Sequence, residues 1–403
     1  MDKIKAQIQS LASQLLPEII DIRRHIHMNP ELSFEEYNTA SFIASKLKSN
    51  HIPFQDGIAG TGIVVFIEGK NPSLKTIALR ADMDALPILE QNDVEYKSKK
   101  LGVMHACGHD VHTASMLGTV MILNELKNNL KGKIKVIFQP GEEKLPGGAS
   151  LMIKQGVLQN PVPSAIFAQH VFPSLESGKV GFRSGMYMAS TDELYLTVFG
   201  KGGHAAMPKD YNNPILIASA ILEELDKKIM NKTNPPLFEG KQIPTVLAFG
   251  KMTADGATNV IPNEVKLEGT FRTMHEAWRE EAHKIIKQTA ESIAKKMGGS
   301  CDFNIVRGYP FLVNDEQLTA KAKKSSEEYL GKENVKDLDL RMTGEDFAFY
   351  SQQVPACFYR IGTGNVAKGI TSGVHTSTFD IDEKALETAM GLMAWIVFKE
   401  LGE

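Results

Sequence analysis

The sequence predicts an α/β fold, a mostly parallel sheet flanked by helices, with a small two-layer α+β domain inserted into it. Three observations favour this fold. Short apolar segments alternate with helical patterns before about residue 190 and again after about residue 310. Between them the order becomes strand, helix, strand, strand, helix, strand, which is typical of a small two-layer domain. The length of 403 residues exceeds what one core usually supports, so two domains are expected.

Composition and charge exclude several classes of function. Apolar residues make up 42% of the chain and charged residues 23%, which is ordinary for a globular enzyme. The formal net charge of −3 gives no basic surface for nucleic acid. No apolar run is long enough to span a membrane, and the N-terminus lacks the apolar centre of a signal peptide. Because Cys107, Cys301 and Cys357 are widely separated and odd in number, we expect no disulfide framework and a cytoplasmic location.

Changes in the residue pattern divide the chain into three segments. Residues 1–188 form the first part of the larger domain and begin with two helices, separated near Asn29-Pro30. Residues 189–309 form the inserted small domain, whose longest helix is predicted from Glu276 to Lys296. Residues 310–403 return to the larger domain and end in an amphipathic helix.

Polar side chains follow three apolar strands of the larger domain, at the point where each strand ends. The strands and the residues after them are 76–81 with Asp82 and Asp84, 133–138 with Glu142 and Glu143, and 164–169 with His170. Helical segments separate the strands, which favours a parallel sheet. Because functional groups gather outside the carboxyl ends of such strands, we expect these side chains to share one site.

A cysteine and three histidines lie close together between two of these strands, in the segment Met104-His-Ala-Cys-Gly-His-Asp-Val-His-Thr113. Imidazole and thiolate are the ligands that a borderline-soft dication prefers, and carboxylates complete such sites. An apolar segment at helical spacing follows, so the cluster is predicted at a helix N-terminus. There the helix dipole is expected to lower the pKa of Cys107 toward thiolate. A polar loop with a free thiol is the alternative interpretation.

Five residues are candidate metal ligands, and one glutamate stands beside them. The ligands are Cys107, His109, Glu143, His170 and His375, and the neighbouring glutamate is Glu142. Five ligands are more than one tetrahedral ion uses, and a shared thiolate could bridge two ions. Adjacent side chains at a strand end point in different directions. One glutamate can therefore bind metal while the other accepts a proton from a metal-activated water.

Seven short motifs occur in order along the chain. They are Arg80-Ala-Asp-Met-Asp-Ala-Leu-Pro87, Met104-His-Ala-Cys-Gly-His-Asp-Val-His112, Gln139-Pro-Gly-Glu-Glu143, Gly202-Gly-His-Ala-Ala-Met-Pro208, Asn259-Val-Ile-Pro262, Gly344-Glu-Asp-Phe347 and His375-Thr376. Together they resemble the motif series of the aminoacylase and carboxypeptidase family of metallopeptidases. The similarity is greatest to its amidohydrolase branch of hippurate hydrolases, N-acyl-amino-acid deacylases, auxin-conjugate hydrolases and N-acetyldiaminopimelate deacetylases.

The resemblance implies a metallopeptidase catalytic domain with a binuclear centre of divalent ions, Zn or Mn, with Ni or Co as alternatives. It implies that Cys107 bridges the two ions and that the other four candidate ligands complete the centre. It also implies that Glu142 is the general base and that Asp84 orients the site. The chain departs from the family pattern at two places. Asp82 stands where the wider family has a histidine ligand, and Thr376-Ser377 replaces Thr-Pro after the final histidine.

Three residues of the inserted domain are candidates for contact with the substrate. His204 is flanked by small residues and suits a hydrogen-bond donor to an oxyanion, although a helix-capping histidine is the alternative. The resemblance implies a homodimer that pairs through the inserted domain, in which His204 and Asn259 reach the partner's metal ions. Arg272 ends a predicted strand and is expected to bind a substrate carboxylate, although a surface arginine is the alternative.

These expectations describe an enzyme that hydrolyses the amide bond of N-acyl-L-amino acids, which are small molecules, through a metal-activated water. A dipeptidase or carboxypeptidase of the same family is one alternative, because it needs the same chemistry on a peptide amide. A thiol hydrolase is a second, with Cys107 as nucleophile and His109 or His112 as base. A non-catalytic metal- or ligand-binding protein is a third. Chelator sensitivity separates a metal-dependent amidohydrolase from a thiol hydrolase, since a thiol enzyme should remain active. The proton-accepting role of Glu142 separates an enzyme from a binding protein.

Overall fold

A computed structural model describes residues 2–231 and 237–402. In chain order the α-helices are α1 (Asp2–Met28), α2 (Tyr37–Ser49), α3 (His109–Glu125), α4 (Gly148–Lys154), α5 (Pro214–Ile229), α6 (Glu276–Lys296), α7 (Glu316–Leu330), α8 (Ala348–Ser351) and α9 (Ala385–Gly402). Within the described ranges, no helix combines the length and the apolar character that a membrane span requires.

The strands are short, and most lie in one of two sheets. In chain order they are β1 (Phe54–Ile58), β2 (Gly62–Glu68), β3 (Thr76–Asp82), β4 (Lys133–Gln139), β5 (Ala165–Glu176), β6 (Val180–Phe182), β7 (Gly185–Met188), β8 (Asp192–Phe199), β9 (Gly203–His204), β10 (Leu237–Phe238), β11 (Lys241–Gln242), β12 (Thr245–Thr253), β13 (Val260–Ile261), β14 (Glu264–Thr273), β15 (Ser300–Arg307), β16 (Leu312–Asn314), β17 (Val335–Asp337) and β18 (Ala356–Gly364).

The larger of two compact units contains the chain up to Gly185, Val313–Asp339 and the residues from Asp346 onward. Its eight-stranded sheet has the order β1-β2-β4-β3-β5-β18-β6-β17. The pairings of β3 with β4 and β5, of β5 with β18, and of β6 with β17 are parallel. Helices α1, α3 and α9 pack against one another beside this sheet. The predicted α/β class, with a mostly parallel sheet flanked by helices, is therefore confirmed.

Strand β3 lies at the centre of the sheet and brings the candidate site to its carboxyl end. All seven of its residues, Thr76–Asp82, are buried, which suits the apolar run 77–79 and requires that Arg80 and Asp82 have buried polar partners. In the parallel register Asp82 pairs with Gln139, so the chain after β3 and the chain after β4 leave the sheet side by side. The residues that follow these strands therefore meet at one edge, as expected for parallel strands.

Two features of the sheet differ from the sequence-based expectation. His170 was predicted to follow its strand, but β5 continues to Glu176, so His170 lies within the strand. The strand is longer because β18 runs beside it, up to the pairing of Gly364 with Glu176. Strands β1 and β2 were not predicted, and they extend the sheet in antiparallel pairing beyond β4.

The smaller unit contains Met186–Leu312 and Leu340–Glu345. Its four-stranded sheet has the order β12-β14-β8-β15, and every pairing in it is antiparallel. Alternate residues of β8 are buried, because one face of the sheet packs against α5 and α6. Its six longest elements follow one another as strand, helix, strand, strand, helix, strand (β8, α5, β12, β14, α6, β15), and the short strands β9, β10, β11 and β13, which were not predicted, lie between them.

Candidate metal centre

Cys107 and His109 flank a glycine at the start of α3. Gly108 has a φ of 80° and is the residue immediately before the helix. A Cβ at this position would lie 2.6 Å from a methyl carbon of Val171, so both the conformation and the space require glycine. This tight turn holds Cys107 and His109 beside strand β5, which carries His170. Both side chains are buried.

His109 is held in one orientation by Asp84. The Nδ1 atom of His109 lies 3.1 Å from Oδ1 of Asp84. The second carboxylate oxygen of Asp84 accepts hydrogen bonds from Ser33 Oγ at 2.6 Å and from the Glu143 backbone N–H at 3.0 Å. The Nε2 atom of His109 is buried and has no hydrogen-bond partner among the described residues. A histidine with Nδ1 fixed by a carboxylate and Nε2 unpaired is arranged as metal ligands usually are.

His170 is fixed by the backbone of the next residue. Its Nδ1 lies 2.8 Å from the carbonyl oxygen of Val171, which can only accept, so Nδ1 carries the proton. Burial lowers the pKa of His170 well below its ordinary value, and the nearby Arg360 lowers it further. The ring is therefore neutral, with its Nε2 lone pair directed at Cys107 Sγ at 3.5 Å.

Glu143 and His375 close the other side of the cluster. The Oε1 atom of Glu143 lies 3.2 Å from Nε2 of His375 and 3.9 Å from Nε2 of His109. His375 has a φ of 63°, which is unusual for a residue other than glycine. Its backbone N–H donates to the carbonyl of Ala106 at 2.7 Å, which holds it beside Cys107. Backbone strain of this kind is concentrated at functional sites.

All five predicted ligands and Glu142 are brought together. Ligand atoms within 4.8 Å of one another occur in three groups that share members, and the groups are Cys107 with His109 and His170, Cys107 with Glu143 and His375, and His109 with Glu142 and Glu143. Cys107 and His109 each belong to two of these three groups, which is the pattern expected if two ions share ligands. A fourth group joins Asp82, His109 and His112.

The donor set fits divalent ions. Thiolate, imidazole and carboxylate are combined, and the unpaired, buried His109 Nε2 would gain a partner in a bound ion. One expectation is wrong for the protein without metal. Burial raises the pKa of Cys107 well above its ordinary value, and Glu143 and Glu142 raise it further, so the helix dipole does not prevail. This result also argues against a thiol hydrolase, because the free thiol is not activated.

The smaller unit holds the other predicted residues. Val260 pairs with His204 in the β9–β13 ladder, and the Ala205 N–H donates to the Asn259 carbonyl at 3.0 Å, so His204 and Asn259 are neighbours. Both are exposed. The backbone N–H of Ala206 donates to Nδ1 of His204 at 3.1 Å, which leaves the proton on Nε2 available for donation. Arg272 is half-buried and donates to the Met342 carbonyl at 3.1 Å.

Several residues that support the site were not predicted to have a role, although some of them lie within the motifs. Ser33 and Gln139 carry no chemical signal of their own in the sequence. Arg80 and Asp346 lie 266 residues apart in sequence, yet the Nη2 atom of Arg80 donates to Oδ1 of Asp346 at 2.7 Å. Their one recognisable signal was a charged residue inside or beside an otherwise apolar segment, since a buried charge requires a partner.

Comparison with known proteins agrees with a metal-dependent hydrolase site. The chain belongs to peptidase family M20/M25/M40, because the model of this family matches residues 78–399. The resemblance inferred from the motifs is therefore confirmed, and the chain is an enzyme of this hydrolase family.

Two relatives of similar identity carry different names. N-acetyl-L-cysteine deacetylase of Bacillus subtilis is 36% identical over 374 residues, which cover 93% of this chain and 86% of the relative. Thermostable carboxypeptidase 2 of Saccharolobus solfataricus is 35% identical over 390 residues, covering 96% of this chain and 95% of the relative. A crystal structure of a Bacillus subtilis protein described as a dinuclear metal-binding peptidase of the M20 family has a TM-score of 0.80. It is 33% identical, and the match covers 97% of this chain and 99% of that one.

Proposed function

We propose that the protein is a metal-dependent amidohydrolase that cleaves the acyl amide of N-acyl-L-amino acids. The observation that carries the proposal is the position of Glu142, a buried carboxylate within 4.8 Å of the ligand atoms of His109 and Glu143. A site that only bound metal would have no use for such a carboxylate beside its ligands. The similarity to an enzyme named as an N-acetyl-L-cysteine deacetylase favours an acyl amide as the bond that is broken.

Five residues would hold two divalent ions, with Zn and Mn as the proposed metals. The ligands would be Cys107, which belongs to two of the ligand groups, together with His109, Glu143, His170 and His375. Bound ions would supply a nucleophile at neutral pH and polarise the amide carbonyl. Asp84 would keep His109 in the Nδ1–H form and, through the Glu143 backbone N–H, would fix the loop that carries both glutamates.

The protein's own groups would move the protons and stabilise the charge. Glu142 would accept a proton from the attacking water and deliver it to the nitrogen of the leaving amino acid. His204 would donate its Nε2 proton to the oxygen on which negative charge develops, with Asn259 beside it. Arg272 would bind the substrate carboxylate, which fixes the orientation of the amide.

The active form is proposed to be a homodimer that pairs through the smaller unit. A second subunit would then supply the exposed His204 and Asn259 to its partner's metal centre. The three cysteines of the described chain are free, which suits the reducing cytoplasm that we propose as its location.

A carboxypeptidase is the second candidate function. It is favoured by the relative named thermostable carboxypeptidase 2, which matches this chain about as well as the deacetylase does. Both reactions need the same base and ions. They differ in what lies on the acyl side of the amide, which is a simple acyl group in one case and a peptide in the other.

The test is a substrate panel on protein reconstituted separately with Zn, Mn, Co and Ni. We expect kcat/KM for N-acetyl, N-benzoyl or longer N-acyl amino acids to exceed that for dipeptides and blocked dipeptides with the same C-terminal residue. A higher kcat/KM for the peptides would favour the carboxypeptidase. Full activity after exhaustive chelation would exclude both proposals, since each requires bound ions.

A further inference from the structure

The hydrogen bonds of His112 define its tautomer and occupy both of its ring nitrogens. The backbone N–H of Val171 donates to Nε2 of His112 at 2.9 Å, so Nε2 carries a lone pair. The proton must therefore be on Nδ1, which lies 2.5 Å from Oδ1 of Asp82 and donates to it. His112 and Asp82 are both buried, so water does not compete for these bonds.

Val171 connects this pair to a candidate ligand. Its N–H is held by His112, and its carbonyl accepts the Nδ1 proton of His170. Both polar atoms of one backbone residue are thus engaged by imidazoles. The Nε2 lone pair of His170 is directed at the metal centre only while Val171 keeps this position.

From Asp82 the connection continues through a buried guanidinium. The second oxygen of Asp82 accepts from Arg80 Nη1 at 2.6 Å. Arg80 Nε donates to Gln139 Oε1 at 2.9 Å, and Nη2 donates to Asp346 Oδ1 at 2.7 Å. The arginine therefore joins the ends of strands β3 and β4 to Asp346, and its planar donors fit this arrangement in a way that lysine could not.

Asp346 is the other end of the network. Its carboxylate accepts from Gln139 Nε2 at 2.9 and 2.8 Å, and from the Ala149 backbone N–H at 3.0 Å, in addition to Arg80. Its own backbone N–H donates to Oε1 of Glu142 at 3.3 Å. An unbroken series of hydrogen bonds thus runs from His170 to Glu142, and every side chain in it is buried.

We propose that His112 and Asp346 are positioning residues, which hold a metal-ligating histidine and the general base in a fixed relation through the buried series Val171–His112–Asp82–Arg80–Asp346. His112 acts on His170, and Asp346 acts on Glu142. The inference rests on the proposed function for the roles of His170 and Glu142. It assigns to His112 neither metal binding nor proton transfer to substrate.

The competing interpretation is a third metal position formed by Asp82, His109 and His112, whose ligand atoms lie within 4.8 Å of one another. An ion there would have to displace the Val171 N–H from His112 Nε2, or the proton from Nδ1. It would also compete with Arg80 for Asp82. Loss of these bonds would leave the buried Val171 N–H without its acceptor, or would deprive the buried Arg80 guanidinium of one of its three side-chain acceptors, and either loss is unfavourable.

The first experiment reads the tautomers directly and needs no variant that perturbs folding. Protein labelled with ¹⁵N at its 11 histidines is studied by long-range ¹H–¹⁵N correlation, with and without Zn²⁺. We expect His112 as the Nδ1–H tautomer in both states, with no change in its Nε2 shift on zinc addition. His170 should change its Nε2 shift as zinc binds. His112→Gln, which lacks the ring signals, assigns the resonance.

The outcomes separate this inference from the proposed function. If zinc moves the Nε2 shift of His112 together with that of His170, His112 is a ligand and the inference is wrong while the metal centre stands. If zinc moves no histidine shift, the proposed metal centre is wrong and the inference falls with it. An Nε2–H tautomer of His112 without zinc would also overturn the inference, because the Val171 bond could not exist.

A set of variants then measures what the positioning contributes. His112→Phe removes both hydrogen bonds, and we expect zinc affinity, measured against a competing chelator, to fall by about 10–100-fold. His112→Gln can present Oε1 to the Val171 N–H and should recover part of that loss. Equal affinity in the wild type and in His112→Phe, or no recovery in His112→Gln, would contradict the role assigned to His112.

Asp346→Asn tests the other end. An amide presents one acceptor oxygen where three donor groups converge, so the segment that holds Glu142 should shift. We expect kcat to fall by about 10–100-fold, with KM changed by less than about 3-fold.

The matched control is Asp192→Asn in the smaller unit, another buried carboxylate held by a buried arginine, Arg279. It should lower the melting temperature without changing kcat in this way. Equal effects of the two variants on kcat would mean that Asp346 has only a structural role.

Discussion

The two units hold their candidate functional side chains in opposite ways. In the larger unit Cys107, His109 and His170 are buried, and Asp84 and Val171 fix the orientations of the two imidazoles. In the smaller unit His204 is exposed, and its ring accepts a hydrogen bond from the Ala206 N–H, the one partner of this ring among the residues that the structure describes. One set of groups is completely organised by the fold, whereas the other is presented outward.

The roles proposed for the two sets account for this difference. Metal ligands must be placed to within a fraction of an ångström before the ion arrives, so buried hydrogen bonds hold them. A group that contacts a transient oxyanion must admit substrate and release product, so it stands on an accessible turn. A buried arginine is present in both units, but Arg80 connects to the candidate base whereas Arg279 ties Asp192 to Glu276 and serves stability.

Glu142→Gln is expected to have the largest effect on activity. The amide keeps the shape of the side chain but cannot accept a proton, so we expect kcat to fall by at least about 10²–10⁴-fold. Metal content, measured by mass spectrometry on dialysed protein, should stay close to the wild-type value. Near-normal turnover would exclude Glu142 as the base.

Glu143→Gln is the matched control, since it changes the neighbouring residue in the same way. It should lose bound metal, because Glu143 Oε1 lies among the imidazole nitrogens of His109 and His375. If Glu143→Gln kept its metal while Glu142→Gln lost it, the two assignments would be exchanged.

The exposed histidine of the smaller unit is expected to give the next largest effect. His204→Ala should lower kcat by about 10²–10³-fold, the usual loss of one donor to a developing oxyanion, and should leave metal content unchanged. His51→Ala, a change at another exposed histidine, should behave as the wild type. A kcat within about 2-fold of the wild type for His204→Ala would leave only a local structural role for His204.

Mixing two inactive proteins tests which subunit supplies His204. Under conditions that let subunits exchange, His204→Ala and Glu142→Gln would form mixed dimers in which one metal centre is complete. Activity should then return toward one quarter of the wild-type value if exchange is random, because half of the dimers are mixed and each has one intact site. Exchange without recovered activity would show that His204 does not act across subunits.

Much of the fold could be predicted because its signals are local. Helix α6 begins and ends where the pattern predicted, since His275 caps its N-terminus by accepting the Trp278 N–H at 3.3 Å. The end of β5 could not be predicted, because a proline such as Pro173 normally ends a strand. Here the strand continues past Pro173, and the partner strand shifts its register between Gly362 and Gly364. This accommodation depends on a strand that lies almost 190 residues later in the chain.

The candidate site shows the same division. Side chains that bind metal have distinctive chemistry, so the five candidate ligands could be selected from residue type and position in the sequence. The residues that orient them are ordinary in sequence, and their partners are remote, as Asp346 is from Arg80 and His112 is from Asp82. The pKa of Cys107 was predicted to be lowered, but in the metal-free protein it is raised. Burial and the nearby carboxylates of Glu143 and Glu142 outweigh the helix terminus, and they are visible only in three dimensions.

The reactivity of Cys107 tests the buried centre of the larger unit without a measurement of turnover. In a Cys301→Ser, Cys357→Ser background it is the one remaining thiol of the chain. A small thiol reagent should modify the metal-free protein at least about 10-fold faster than the zinc-loaded protein, because a sulfur that is bound to metal is not available to attack the reagent. The two serine changes themselves should leave turnover nearly unchanged. Equal modification rates in both forms would show that the thiol is not coordinated.

Arg272 is expected to give the smallest effect, on binding alone. Burial lowers the pKa of its guanidinium, and within residues 2–231 and 237–402 its one hydrogen-bond partner is the Met342 carbonyl. A half-buried cation without a carboxylate partner is costly, and a substrate carboxylate would offset that cost. A hydrogen bond to a charged group contributes about 1.5–3 kcal/mol, so Arg272→Ala should raise KM for N-acyl amino acids by about 10–100-fold with little change in kcat.

The control for Arg272 is a change of substrate. Methyl esters of the same N-acyl amino acids lack the carboxylate charge, so the wild type should prefer the free acid and Arg272→Ala should lose that preference. Arg272→Lys keeps the charge without the two-pronged geometry and should recover only part of the difference. If Arg272→Ala still discriminated against the ester as the wild type does, another group would have to bind the carboxylate, and Arg272 would serve only to hold the Met342 segment.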